Sequence, residues 1–197
     1  MNALEHEASR VISDELKQNG FIPTPSGFIR LREHYADYIS PQARSDNNAI
    51  CYNGGVIALF LHTPAQDILL EKSELDCDIR FRITPPEESD FWIENTQNRD
   101  ALRDNSIKLL NSHGISLFNS FENQDSICLP LSPSNIESGN IPYQFSSMTK
   151  SRLARISAMS WMSKGDILRA KELAHYGLSV CGMATTLKRE FKKILAE

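Results

Sequence analysis

At 197 residues with a net charge of -4, the chain is long enough for one substantial domain, or a smaller domain plus an appendage, and needs neither disulfides nor a cofactor to fold. Its four cysteines, Cys51, Cys77, Cys128 and Cys181, lack the paired spacing of a zinc ribbon or thioredoxin-like site, so buried free thiols are expected. No run approaches the roughly 18 apolar residues that cross a bilayer, and residues 1–18 do not read as a signal peptide; the expectation is a cytoplasmic protein with no membrane contact.

In chain order, Leu4, Ala8, Val11, Ile12 and Leu16 fall at helical spacing, and Gly20 follows where a left-handed cap belongs. Phe28 to Pro41 is rich in β-branched and aromatic residues with Arg30 and Arg32 alternating, which predicts one or two strands. Ala49 to Leu61 continues the sheet, and its Gly54-Gly55 pair suggests a bulge or a close backbone approach. No phosphate loop is present. The cleanest strand is Cys77 to Thr84, with Cys77, Ile79, Phe81 and Ile83 on one face and Asp78, Arg80, Arg82 and Thr84 on the other.

Pro85-Pro86 and an acidic cluster follow, and Phe91-Trp92-Ile93 reads as an anchor returning to the core. Asn95 or Thr96 is placed to cap a helix running through Leu102 and Leu109-Leu110 to Gly114. Residues 129–147 hold Pro130, Pro133, Gly139 and Pro142 among Ser and Asn, the composition of a linker or long loop. Beyond it, Met148 to Met162, Asp166 to Tyr176 and Met183 to Leu195 carry helical patterns, punctuated by Gly165, Gly177 and Gly182.

These elements predict an α+β fold: an antiparallel sheet packed on one face by helices, followed by a C-terminal helical hairpin or three-helix cap. The expected division is an α+β domain over 1–128, a linker or long loop over 129–147 and a basic helical tail over 148–197 packed on or beside the first domain. Charge divides similarly. Residues 1–147 hold 11 Lys+Arg against 21 Asp+Glu, while residues 148–197 hold 10 against 4.

The segment Leu16-Lys17 to Gly20-Phe21, the aromatic and arginine strand from Phe28, Asn53-Gly54-Gly55, and Leu75-Asp76-Cys77-Asp78-Ile79-Arg80 with Trp92 beyond it together resemble a bacterial family, domain of unknown function forty-three-oh-four. The helix ending at Gly114, with Leu117 after it, fits the same layout. The resemblance spans about residues 5–121 and leaves the tail aside. It implies an α+β fold and a bacterial source, and supplies no catalytic residues to transfer.

Three surfaces carry functional expectations. The polar face of Asp78, Arg80 and Arg82 suits either a salt-bridged strand surface or an anion-binding, active-site rim. A thiol at Cys51 or Cys77 would need His34, His62 or His113 as base, and Asp76, Asp78 and His62 match no metal-ligand spacing; no metal or cofactor is expected. The basic tail places Lys188, Arg189, Lys192 and Lys193 on one helix, where phosphate contacts are possible, but nucleic-acid binding is the lesser expectation because aromatics for base stacking are missing. The leading expectation is a non-enzymatic binding protein of the immunity or antitoxin kind. Its partner would be a protein such as a basic toxin, met by Glu87, Glu88, Asp90 and Glu94. An enzyme of unknown class using the Asp78, Arg80 and Arg82 face is the alternative, and oligomeric state is left open.

Overall fold

Asn2 starts the first helix, α1 (Ala3–Gln18), through a reciprocal cap: its side-chain oxygen accepts from the Glu5 backbone at 2.9 Å, and the Glu5 carboxylate accepts from the Asn2 backbone at 2.7 Å. Such a cap satisfies donors that a helix start leaves open and is worth about 1 kcal/mol. Ala8, Val11, Ile12 and Leu16 form the buried stripe. Gly20, at φ 81°, takes the expected left-handed position after the helix.

The computed structural model describes residues 1–62, 66–88, 90–96 and 98–197, without the side chains of residues 66–68 and 74. The chain falls into two units, Met1–Ile57 with Pro64–Ser120, and Ala58–Thr63 with Phe121–Glu197.

In the first unit, β1 (Ile22–Thr24), β2 (Gly27–Leu31), β3 (Tyr35–Ala43), β4 (Ala49–Ala58) and β5 (Ile79–Ile83) lie in that order across an antiparallel sheet. Helix α2 (Gln66–Glu71) precedes β5, and β6 (Ile93–Glu94) pairs with Ala49 and Ile50 of β4. There follow α3 (Arg99–Leu109), a π-helical turn (Leu110–Gly114) and α4 (Ile115–Asn119). Strand β5 is shorter than the expected Cys77 to Thr84; within it the alternation holds, burying Ile79, Phe81 and Ile83 and leaving Arg80 and Arg82 half-buried, but Thr84, expected on the polar face, is buried past its end.

Helices α1 and α3 pack together, α1 against β3, α3 against β6 and the π turn against β5. Phe118 anchors this layer, with ring centroids 5.3 Å from Phe81 and 5.8 Å from Phe21. The buried Tyr52 hydroxyl donates to Ser106 Oγ of α3 at 2.8 Å, so both of these buried polar groups are paired.

The structure departs from several local expectations. The β4–β5 register runs unbroken from Tyr52↔Ile83 to Val56↔Ile79, so the glycine pair makes no bulge there. Gly54 serves the close approach instead, since a Cβ would overlap the Phe81 ring. Strand β4 stops at Ala58, with Leu59–Leu61 in a 3₁₀ turn. The cap of α3 is Asn98, whose side chain accepts from Asp100 N and Ala101 N at 3.0 and 3.2 Å. Asn95 instead donates its backbone N–H to Asn48 O at 2.7 Å, extending the sheet. Gly114 ends no helix: it lies in the π turn, where a Cβ would meet Ile83 at 3.3 Å. Close packing on β5 explains the glycine.

In the second unit, the Leu59–Leu61 turn is followed by α5 (Asp125–Cys128), α6 (Pro133–Ser138), a 3₁₀ turn (Tyr143–Phe145), α7 (Lys150–Ser163), α8 (Ile167–Val180) and α9 (Thr185–Ala196). Helices α7, α8 and α9 pack on one another. Residues 129–147, with the composition of a linker, carry α6 and bury Leu131, Ile136 and Phe145. The same Ser and Pro that suit loops also start helices: Ser132 accepts from Asn135 N at 3.2 Å and Pro133 opens α6. Ser157 of α7 donates to Leu131 O at 2.9 Å, fastening the segment. Gly177, expected as a break, lies inside α8 and lets the Phe191 ring of α9 sit against its backbone. All four cysteines are free and buried.

Candidate functional site

The segment from Thr84 to Asn95 leaves the sheet after β5 and rejoins it at β6. Thr84 Oγ1 donates to Glu88 O at 3.0 Å, and Glu88 N to Pro85 O at 3.0 Å, folding the start of the excursion into a turn. Arg82 holds its far side: its Nε lies 3.3 Å from Asp90 Oδ1, and its guanidinium carbon stands 5.1 Å from the centre of the Trp92 ring. The indole N–H in turn donates to Asp90 Oδ2 at 2.7 Å. A cation over an aromatic face and a carboxylate on both groups make a mutually supporting triad.

Between this excursion and α3 with its π turn lies a groove of about 490 Å³. One wall presents Phe91 and Trp92, both half-buried; the other presents Asn105, Lys108, Ser112 and His113. Phe91 and Trp92 therefore do not return to the core as expected; of the triplet, Ile93 alone is buried, paired with Ile50. The volume falls within the roughly 300–1,000 Å³ range of small-molecule sites. The wide turn also matters, since π turns recur at functional positions.

The polar strand face was visible in sequence, but its arginines are already engaged. Arg82 contacts the Cys51 thiol, lies 3.3 Å from Gln42 Oε1 and holds Asp90. Asp78 and Arg80 are half-buried, Arg80 opposite Gly55. Cys51 donates to Gln42 O at 3.3 Å, and burial pushes its thiol up to about 12 despite the nearby Arg82. Among the described residues, no histidine is a hydrogen-bond partner of Cys51. His34 stands 3.8 Å from Glu33, and His113 lies in the π turn. Among the described residues, no group of three or more His, Cys, Asp or Glu is placed to hold a metal ion.

A second arginine pair closes on Asp37. Arg30 Nε and Nη2 reach Oδ2 at 2.9 and 2.8 Å, Arg32 Nε reaches Oδ2 at 2.7 Å, and Arg32 Nη2 reaches Oδ1 at 2.7 Å. Arg32 also donates to Phe118 O and Arg30 to Asn119 Oδ1, each at 3.0 Å, tying β2 and β3 to the end of α4. Burial pushes the Asp37 carboxyl above its ordinary value, and Arg32 and Arg30 offset only part of that rise. The completeness of this cluster marks it as structural.

A family model described as Domain of unknown function (DUF4304) matches residues 12–120, more than half of the chain. The chain belongs to this family. The DUF4304 region closes at Ser120, where the first unit also ends, and it contains the whole sheet and groove. No curated protein and no solved structure matches the chain.

Of the acidic residues in the DUF4304 region, Glu87, Glu88, Asp90 and Glu94 are all exposed on the excursion. They are not equivalent. Asp90 is held by Arg82, and Glu94 pairs with Arg44 at 2.9 Å, whereas Glu87 and Glu88 have no ion-pair partner among the described residues. Outside the DUF4304 region, Lys188, Arg189, Lys192 and Lys193 are exposed together on α9, opposite its buried Phe191 and Ile194. Of the groove residues, Asn105, Lys108 and Ser112 escaped sequence reasoning, which points to His113 only as a base for a thiol and to Thr96 only as a helix cap. Only the Phe91-Trp92 pair beside an acidic run gave a signal, and it was read as core.

Proposed function

We propose that the chain is a non-enzymatic binding protein of the immunity or antitoxin kind, acting in a bacterial cytoplasm and neutralising a basic protein partner through the acidic excursion of its first unit. The supporting observation is electrostatic. The first unit holds 18 Asp+Glu against 11 Lys+Arg, and the exposed Glu87 and Glu88 stand on an excursion braced by Arg82. Complementary charge of this kind speeds encounter and selects partners. The raised Cys51 thiol and the engagement of Arg82 by Asp90 weigh against the sequence's two catalytic alternatives.

The test is affinity capture from native extract at low and high salt, followed by kinetics with the stoichiometric partner so found. The double reversal E87K/E88K is expected to slow association about tenfold or more while far-UV circular dichroism stays unchanged. Association at the wild-type rate would overturn the assignment of this surface.

A second reading rests on α9, where Lys188, Arg189, Lys192 and Lys193 carry no carboxylate partner among the described residues. They suit a polyanion such as a nucleic-acid backbone. That reading requires binding that weakens steeply with salt and is lost on reversal of Lys188 and Lys192.

A further inference from the structure

We infer that the groove between the excursion and α3 is a small-molecule site for a planar aromatic ligand carrying one anionic group. Its two walls divide the recognition. Phe91 and Trp92 supply ring surface on one side, and Trp92 is held in place by Arg82 and by its N–H bond to Asp90. A planar ring stacked there gains the offset contacts that aromatic pairs prefer.

The facing wall carries the charge. Lys108 is exposed, lines the groove and has no carboxylate partner among the described residues. Glu94, the one carboxylate lining the groove among the described residues, is pulled to Arg44 at 2.9 and 3.3 Å. A cation is therefore left facing a half-apolar cleft whose acid is already neutralised, the arrangement that selects an anion. Asn105, Ser112 and Thr96 add an amide and two hydroxyls that can donate to the same group, and His113 stands half-buried in the π turn. Ring surface on one wall and convergent polar groups on the other together fix the orientation of a bound ligand. The anion could be a carboxylate, a sulfonate or a phosphate, all of which Lys108 recognises as a point charge.

The inference goes beyond the proposed protein partner and stands on different residues. Its test uses the full chain and 8-anilinonaphthalene-1-sulfonate, an aromatic anion whose planar naphthalene ring carries the sulfonate and which fluoresces on binding. One saturable site per chain is expected, with displacement by indole-3-carboxylate or by AMP showing whether a carboxylate or a phosphate is preferred. K108E and N105E, both at exposed positions, should each weaken the dye about tenfold or more, with K108R close to wild type. R103E makes the same charge change on α3 outside the groove lining and should bind as wild type. E87K/E88K should also leave dye binding intact, so this site and the partner surface fail separately. Absence of a saturable site, or K108E binding as tightly as R103E, would overturn the inference.

Discussion

Replacing Asp37 by Asn tests what holds the sheet to its helical layer. The Asp37 side chain is wholly buried, while the side chains of Arg30 and Arg32 are 12% and 23% exposed. Asn keeps the shape of Asp but removes the charge and turns an amide donor toward two guanidinium groups that only donate. Four short contacts between 2.7 and 2.9 Å lose their ionic character together. Breaking one side of a buried ion pair costs about 3–5 kcal/mol, a large share of the roughly 5–15 kcal/mol that keeps a domain folded. With a urea dependence of about 2 kcal/mol per molar, the unfolding midpoint should fall by roughly 1.5–2.5 M. Asp46→Asn, at an exposed ion pair with Arg44, should leave it unchanged. A triple replacement, D37L with R30M and R32M, should lose less than D37N alone, because it leaves no charge stranded. A D37N midpoint within 0.5 M of wild type, on the order of 1 kcal/mol, would refute the argument.

Three further outcomes follow from local geometry. With its thiol held at about 12, Cys51 at pH 8 is about one ten-thousandth thiolate, so mass spectrometry after brief alkylation should find it unmodified in the native chain and modified in urea; rapid native labelling would contradict the burial argument. Gly177→Ala gains about 1 kcal/mol of helix propensity but drives a methyl into the buried Phe191 ring, an overpacking cost of about 1–3 kcal/mol. A lower unfolding midpoint is therefore expected, and a higher one would show that α9 moves aside freely. In the second unit, Lys164 holds the Asp125 carboxyl below its ordinary value, and Tyr176 and Lys150 do the same for Glu137. Depressed carboxylates stabilise above their unfolded pKa and lose that contribution as pH falls through the folded one. The stability gap between wild type and D125N/E137Q should thus be open at pH 7 and closed near pH 2. Tyr176, pushed up to about 12 by burial and by Glu137, behaves in the opposite sense, its contribution fading above pH 10.

Elements whose signal is local were legible in the sequence. The α1 stripe, the left-handed Gly20 and the alternation of β5 each depend on residues within one or two turns of chain, and the structure keeps all three. The readings that changed depend on distant partners. Gly54, Gly114 and Gly177 are spaced like bulges or helix ends, yet each is set by a side chain that packs onto its backbone: Phe81, Ile83 and Phe191. A glycine needed for close approach and one needed for positive φ look alike until the neighbour is known. Residues 129–147 misread for a related reason, because Ser132 and Pro133 signal a helix start and a loop with the same letters.

The groove was illegible for a third reason. Phe91 and Trp92 have the composition of core residues, and what keeps them half-buried at the groove is Arg82, which sits across the sheet register from Asn53 and holds both Asp90 and Trp92. The arginine strand that sequence reasoning marked as a possible active-site rim thus acts one step removed. Its charge is consumed in bracing the excursion, and the bracing keeps the acidic turn and the aromatic wall in one fixed segment. Arg82→Met would therefore be expected to weaken dye binding at the groove and partner binding at Glu87 and Glu88 together, although Arg82 lines neither. Lys108→Glu should affect the groove alone.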